Sequence, residues 1–515
     1  MELCDATALE LLELFRKGQA SPTEALRSCQ ERTEKVNPAV NAIVCEDRDA
    51  AEKIAKMADD AWRRGEPTGV LCGIPLAVKD THVTKGMTTT FGSPLFREWV
   101  PKKDQNFVAR LRASGAIITS KTNVPEWAAG GTSRNPVYGA TGNPFNPALN
   151  AAGSSGGSAT ALACGMTTLA TGSDTGGSLR NPAAFNGIVG MRPSGGLIAS
   201  ERRPLGWSTL SVDGPMARTV TDTALMLSAC TSDDRLDPLA YTLPGETVRA
   251  SHGRFFPLKT VNLKELRLAA TEDFGSAPVE TTVRRAFRDK LPAIASLFGS
   301  MEMAEPDCTD ADRVFAILRA SVFYAAHAER YRDHFDQLGP NIRVNVEEAQ
   351  GYSLADYTWA EKQQTVIYRS YQSFFENHDI LISPAITVSP RPWTEMYPSE
   401  INGTATTSYF HWLAMAYNVT LSGHPAISIP IGMDECGMPF GLQIVGPRGG
   451  DVFLLQVAAM IEAAFADHPS LRRPVPDIQA LAGMPPIASR PGFMPPVSTA
   501  SRSSSNTESY YAKQP

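Results

Sequence analysis

Apolar residues recur at helical spacing through the first 65 positions of this chain. Ala8, Leu11, Leu12 and Phe15 form one stripe. Ser21-Pro22-Thr23-Glu24 then combines a capping box with proline at the first helical position, which predicts a second helix running toward Val36. A third is predicted over 50–64. These helices are expected to cover a sheet or to serve a subunit interface, which admits a homodimer. From Leu71 onward the texture changes to short apolar runs alternating with helical patterns. Positions 74–78 read as a buried strand, 106–113 as a helix, 116–119 as a strand, 158–164 as a helix of small residues, and 167–171 as another strand. Strands alternating with helices across Gly-rich connections predict an α/β fold: a large, mostly parallel mixed sheet covered by helices on both sides.

Residues 230–380 are richer in charge and helix formers, with helices predicted over 311–332 and 359–377. This stretch reads as a variable, mainly helical region that shapes substrate access. Strand texture returns at 380–382, 426–430 and 441–446, and a final helix is expected over 452–465. Residues 1–482 are therefore read as one catalytic domain. Residues 483–515, first Pro-rich and then Ser-rich, are read as a disordered C-terminal tail.

Composition narrows the chemistry. Of the 515 residues, 43% are hydrophobic, enough to bury a large core, and the formal net charge of −6 argues against a polyanion-binding surface, so no nucleic-acid partner is expected. The eight cysteines are scattered, without a Cys-x-x-Cys pair. Zinc sites and disulfide frameworks need clustered or regularly spaced cysteines, so these read as ordinary thiols of a reducing compartment. The N-terminus lacks a basic segment followed by an apolar one, and no apolar run is long enough to span a bilayer. A cytoplasmic protein with no membrane partner is expected.

The densest candidate chemistry lies in two Gly-rich serine loops, Gly153-Ser154-Ser155-Gly156-Gly157-Ser158 and Gly172-Ser173-Asp174-Thr175-Gly176-Gly177-Ser178. Neither has an adjacent histidine, but Lys79 stands upstream in an apolar run. Serine supplies a nucleophile or a proton relay, and a desolvated lysine can act as a base near neutral pH. Together they point to acyl transfer run by lysine and serines. Ser155 sits at the centre of a Gly-x-Ser-x-Gly match, but a nucleophile elbow needs a strand immediately before it, and residues 143–150 read as a loop. A phosphate-binding loop is also excluded, because Gly-x-x-x-x-Gly-Lys-Ser/Thr is absent.

Further segments carry a resemblance. They are Gly73-Ile74-Pro75-Leu76-Ala77-Val78-Lys79-Asp80, Lys121-Thr122-Asn123-Val124-Pro125-Glu126, Gly139-Ala140-Thr141-Gly142-Asn143-Pro144, Arg180-Asn181-Pro182 and Gly214-Pro215-Met216, followed by Gly423-His424-Pro425 and Gly441-Leu442-Gln443. With the two serine loops, the chain resembles the amidase signature family of serine hydrolases over most of residues 5–470. The resemblance implies Ser178 as nucleophile, Ser154 as the bridging cis-serine and Lys79 as base. It implies an oxyanion hole from the backbone N–H groups of Thr175, Gly176, Gly177 and Ser178. Asp174 and Arg180 would support the loop, while Ser155 and Ser158 would hydrogen-bond it and hold Lys79 in place. Trp127, Ala128, Ala129 and Gly130 align with a segment that lines the acyl pocket in relatives, and the loop near Met415 is expected to shape it too. His82, His424 and Asp80 read as structural. One departure is visible: Ala151-Ala152 replaces the family's usual Pro-Gly.

The implied reaction is cleavage of a small-molecule carboxylic amide, or a related anilide, ester or carbamate. It would pass through an acyl-enzyme resolved by water, with no metal and no organic cofactor. Ser178 attacks well only if its proton leaves as the bond forms. Ser154 can pass that proton to Lys79, provided burial keeps the lysine neutral. Converging N–H donors stabilise the developing oxyanion by about 3 kcal/mol each. An alternative shares the same triad: the glutaminase (A) subunit of a tRNA-dependent amidotransferase.

Overall fold

The computed structural model describes residues 2–231, 234–240 and 255–494. Three helices open the chain: α1 (Ala8–Arg16), α2 (Pro22–Val40) and α3 (Arg48–Arg64). Capping boxes start the first two, Thr7 with Glu10 and Ser21 with Glu24, each satisfying backbone donors that a helix start leaves orphaned. α2 runs past its expected end at Val36 because Pro38 is accommodated in the last turn, and Asn41 closes it in a left-handed conformation. α3 begins two residues earlier than expected, where the Asp47 side chain accepts the Ala50 N–H.

Eleven strands form one mixed sheet. They are β1 (Ile43–Glu46), β2 (Pro75–Lys79), β3 (Ile117–Thr122), β4 (Leu169–Asp174), β5 (Val189–Arg192) and β6 (Val212–Ala217). After these come β7 (Arg267–Ala270), β8 (Ser300–Met303), β9 (Ile380–Pro384), β10 (Ala426–Met433) and β11 (Pro439–Val445). Their spatial order is β1-β3-β2-β4-β6-β5-β10-β11-β9-β7-β8. Parallel pairing falls into two blocks, β3-β2-β4 and β9-β7-β8. Antiparallel ladders join them through β6, β5, β10 and β11, and β1 adds an antiparallel edge.

Around the sheet pack α4 (Asn106–Ala113), α5 (Gly156–Ala163), α6 (Arg180–Asn186), α7 (Val220–Cys230), α8 (Thr281–Ala295), α9 (Ala311–His334), α10 (Pro340–Gly351), α11 (Leu354–Asn377), α12 (Ala414–Ser422) and α13 (Asp451–Phe465). Helices α5, α6, α7 and α12 are buried along nearly their whole length, and α5 is built almost entirely of Gly, Ala, Ser and Thr so that it can lie close to the strands.

Two expectations are corrected. Residues 230–380 are more than a helical insertion, because β7 and β8 come from this stretch and extend the main sheet. The expected tail also begins too early. Ile487 is buried against Ala140 and Trp393, with Phe493 packed beside them, and Arg134 bonds the Phe493 carbonyl. An apolar side chain every few residues gives this Pro-rich segment something to bury. Residues 495–515 of the expected tail lie outside the described residues.

Candidate active site

Lys79 is the last residue of β2, at the carboxyl end of the β3-β2-β4 parallel block, where α/β sheets commonly place their chemistry. Its side chain is fully buried. Nζ lies 2.7 Å from Ser154 Oγ and 2.8 Å from Ser173 Oγ, and the Lys79 backbone N–H donates to Thr171 Oγ1 at 2.9 Å. Burial pulls the ammonium down to about 7; the Asp213 and Asp174 carboxylates oppose that shift without cancelling it.

Thr171 and Ser173 alternate along β4 and thus share a face. Thr171 also ties in His82, whose Nδ1 is 2.8 Å from Thr171 Oγ1 and whose Nε2 is 3.1 Å from Asp213 Oδ1. With Asp213 accepting, Nε2 carries the proton and Nδ1 receives the Thr171 hydroxyl. Burial holds this histidine below its ordinary value, so it is a neutral brace. Asp80 anchors its loop through Thr90, and the buried Lys121 donates to the His82 carbonyl, Thr84 and Thr89. His424 stacks on Phe375 and bonds Gln372, away from the serine loops.

The holders of Lys79 differ from expectation. Ser158 Oγ bonds Thr122 Oγ1 at 2.7 Å and the Thr171 carbonyl at 2.9 Å, and Ser155 Oγ meets the backbone of Ser173. Both serines fasten the loops to the sheet; Ser173 is the residue that reaches Nζ. The two serine loops are brought together by the same Ser155–Ser173 contacts. Gly157 is required by close approach: a Cβ there would stand 2.3 Å from the Asn123 nitrogen. The Gly153–Ser154 peptide is cis. Ala152 takes a left-handed φ of 55°, the conformation that explains glycine in the family pattern at this position.

The second loop turns from β4 into α6. Asp174, the last residue of β4, accepts the Gly177 N–H at 3.0 Å and the Leu179 N–H at 3.2 Å. It is also held by Arg180 (2.9 and 3.1 Å) and Arg192 (3.1 Å). Burial would raise this carboxyl, but the two guanidiniums outweigh that and hold it well below the usual carboxylate range. Arg180 reaches further, to the Ala416 carbonyl, Gln443 Oε1 and Thr420 Oγ1, fixing the loop to α12 and β11. The Gly177 N–H is thereby committed to Asp174, so of the four expected oxyanion donors it serves loop closure. Among the described residues, no hydrogen bond occupies the N–H groups of Thr175, Gly176 or Ser178. Gly177 has φ of 105°, and a Cβ there would meet Ala416 and Asn181 at 2.5 Å; one on Gly176 would meet Phe315 at 2.9 Å.

Thr175, Gly176 and Ser178 open onto a cavity of about 180 Å³, with Lys79 and Ser154 buried behind them. Trp127, Ala128 and Gly130 line its wall, whereas Ala129 turns away to pack on Leu338 and Ile342. Phe315, Arg319, Val322, Phe323, Ala326 and His327 come from one face of α9, so the 230–380 region does shape the cavity. On the opposite segment Tyr409, Phe410 and Leu413 reach it; Met415 is buried and does not. Arg319 is the one charged side chain among the described residues lining the cavity, His327 being held neutral by burial, which pulls it to about 3.

Sequence reasoning missed Ser173, Asp213, Arg192 and Arg319. For the first the sequence carries no signal, because only the pairing of β2 with β4 brings Ser173 to Lys79. Arg192 was visible as a lone charge in an apolar run.

The Amidase family model matches residues 24–455. The A subunit of a glutamyl-tRNA(Gln) amidotransferase from Acidothermus cellulolyticus is 30% identical over 91% of this chain and 96% of its own. Among solved structures, a bacterial aryl acylamidase of the amidase signature family superposes with a TM-score of 0.80 at 26% identity, covering 93% of this chain and 99% of that one. Peptide amidase from Stenotrophomonas maltophilia does so with a TM-score of 0.74 at 25% identity over 92% and 99%. The match runs through both serine loops and the Lys79 strand, and the chain belongs to the amidase signature family of hydrolases.

Proposed function

We propose that this protein hydrolyses the C–N bond of small carboxylic amides through an acyl-enzyme on Ser178, with Ser154 as proton relay and Lys79 as base. The observation that carries the reading is a buried lysine at 2.7 Å from a serine hydroxyl, with its ammonium drawn down to about 7 by burial. A neutral amine there gives one N–H to Ser173 and offers its lone pair to the Ser154 proton. As Ser178 Oγ bonds to the carbonyl carbon, its proton passes to Ser154 and the Ser154 proton to Lys79. The free N–H groups of Thr175, Gly176 and Ser178 are the donors to the oxyanion. The relay then runs in reverse, the nitrogen leaves as a neutral amine, and water repeats the sequence to release the acid.

A second reading is favoured by the amidotransferase relatives: the glutaminase of a tRNA-dependent amidotransferase, working with a partner protein. The cavity weighs against it. Glutamine brings an α-ammonium beside its α-carboxylate; Arg319 can face the carboxylate, but among the described residues no Asp or Glu lines the cavity to receive the ammonium. The test is turnover by the isolated chain of aliphatic amides, anilides, carbamates, dipeptide amides and glutamine. Hydrolysis of a simple amide or anilide at higher kcat/KM than glutamine is expected. Turnover of glutamine alone, and only after a second protein is added, would replace this reading with the second.

A further inference from the structure

Arg319 projects from α9 into the wall of the cavity that Ser178 faces. Its guanidinium carbon lies 4.5 Å from the ring centre of Phe323, 4.6 Å from Tyr409 and 4.7 Å from Phe410, so aromatic faces enclose it. Among the described residues its hydrogen-bond partner is Asn345 Oδ1, and Asn345 is itself fixed by donating to Tyr409 Oη at 2.6 Å. A guanidinium carries five N–H donors in a rigid fork, and one partner leaves most of that fork unused.

Arg180 and Arg192 meet Asp174, and Arg203 meets Asp237; buried Arg218, which has no ion pair among the described residues, instead gives its donors to the Leu162, Thr167 and Ala6 carbonyls. Arg319 has no such ion pair among the described residues. Glu348 acts on it only through space and leaves one carboxyl oxygen without a hydrogen-bond partner. Burial accordingly pulls the Arg319 guanidinium down to about 9. Cation–π contacts with enclosed rings contribute less than burying an unpaired charge typically costs. The cavity wall therefore holds a desolvated cation whose remaining donors await an anion.

We propose that Arg319 determines specificity, and that the preferred substrate is a small amide bearing a carboxylate. The fork receives the carboxylate, and Phe323, Tyr409 and Phe410 pack the substrate's hydrocarbon body. This inference rests on the proposed acyl transfer at Ser178 and adds the class of acyl compound. A single cation with no acid opposite it selects a plain carboxylate over a zwitterion, and a cavity of about 180 Å³ keeps the substrate small.

The experiment compares three amides with their uncharged isosteres in the full chain: succinamate with 4-methylpentanamide, adipamate with 6-methylheptanamide, and 4-carbamoylbenzoate with 4-isopropylbenzamide. Wild type is expected to prefer at least one carboxylated member by roughly 10- to 100-fold in kcat/KM, the range of a charge-assisted hydrogen bond. Arg319→Met should bring that ratio to one or below, and Arg319→Lys should restore part of it. Wild-type ratios at or below one for every pair, or a ratio unchanged in Arg319→Met, would overturn the inference and leave the amidase reading standing. The wild-type ratio decides alone if the variants do not fold. Hydrolysis of no member by wild type overturns the inference as well. Activity surviving in Ser178→Ala removes the nucleophile assignment instead.

Discussion

Lys79 sets the pH behaviour expected of the site. Its ammonium loses a proton at about 7 in the folded protein, because burial penalises the charged form, and only the neutral amine can take the Ser154 proton. The kcat/KM for an amide should therefore rise with pH through about 7 and level off above it, and a profile flat from pH 5 to 9 would contradict the assignment. Ser173 holds the same nitrogen from the other side. Ser173→Ala should lower kcat roughly 10- to 100-fold with little change in KM, as a misplaced base does; a raised KM with kcat unchanged would mark a role in binding. At this scale the sequence was informative where residue type and context agreed: a lysine closing an apolar strand, and serines framed by glycines. It was silent on Ser173 because Ser155 and Ser158 occupy the more conspicuous loop, and only the pairing of β2 with β4 brings Thr171 and Ser173 to Lys79. It was equally silent on the Gly177 N–H, whose capture by Asp174 depends on the turn's geometry.

Helix α9 is the element that sizes the cavity. Val322 and Ala326 lie one turn apart on its inner face, and Ala326 is the smaller. Ala326→Phe should fill space beside Trp127 and His327, lowering kcat/KM for an anilide by at least about 10-fold while sparing acetamide. Loss of both in proportion would point to damage at the serines. Elements with capping boxes or long apolar stripes were legible: α1, α2, α9 and α13 all form close to where the pattern puts them. Strands β1, β5, β6, β7 and β8 were not. β6 carries Gly214-Pro215 and β5 carries Gly190 and Arg192, residues that ordinarily argue against a central strand; tertiary pairing overrides them. β8 is an exposed edge with no buried face to print an alternation.

At the scale of the molecule, the sheet draws strands from both sides of the 230–380 stretch and from within it, so the site rests on one continuous scaffold. The segment beyond residue 483 reinforces the serine side of that scaffold, with Ile487 packed on Ala140 and close to Gly142, in the loop that precedes α5. Ile487→Ala should cost about 2–5 kcal/mol in denaturant unfolding, a value a disordered tail would not give.

Acyl transfer through Ser178 leaves an adduct that can be trapped. An amide substrate is mixed with excess enzyme, quenched in acid during the first turnover, and the protein is mapped by peptide mass spectrometry. An acyl group is expected on Ser178 in wild type, absent in Ser178→Ala and accumulating when deacylation is slow. An acyl group on Ser155 or Ser154, or full turnover by Ser178→Ala, would contradict acyl transfer through Ser178.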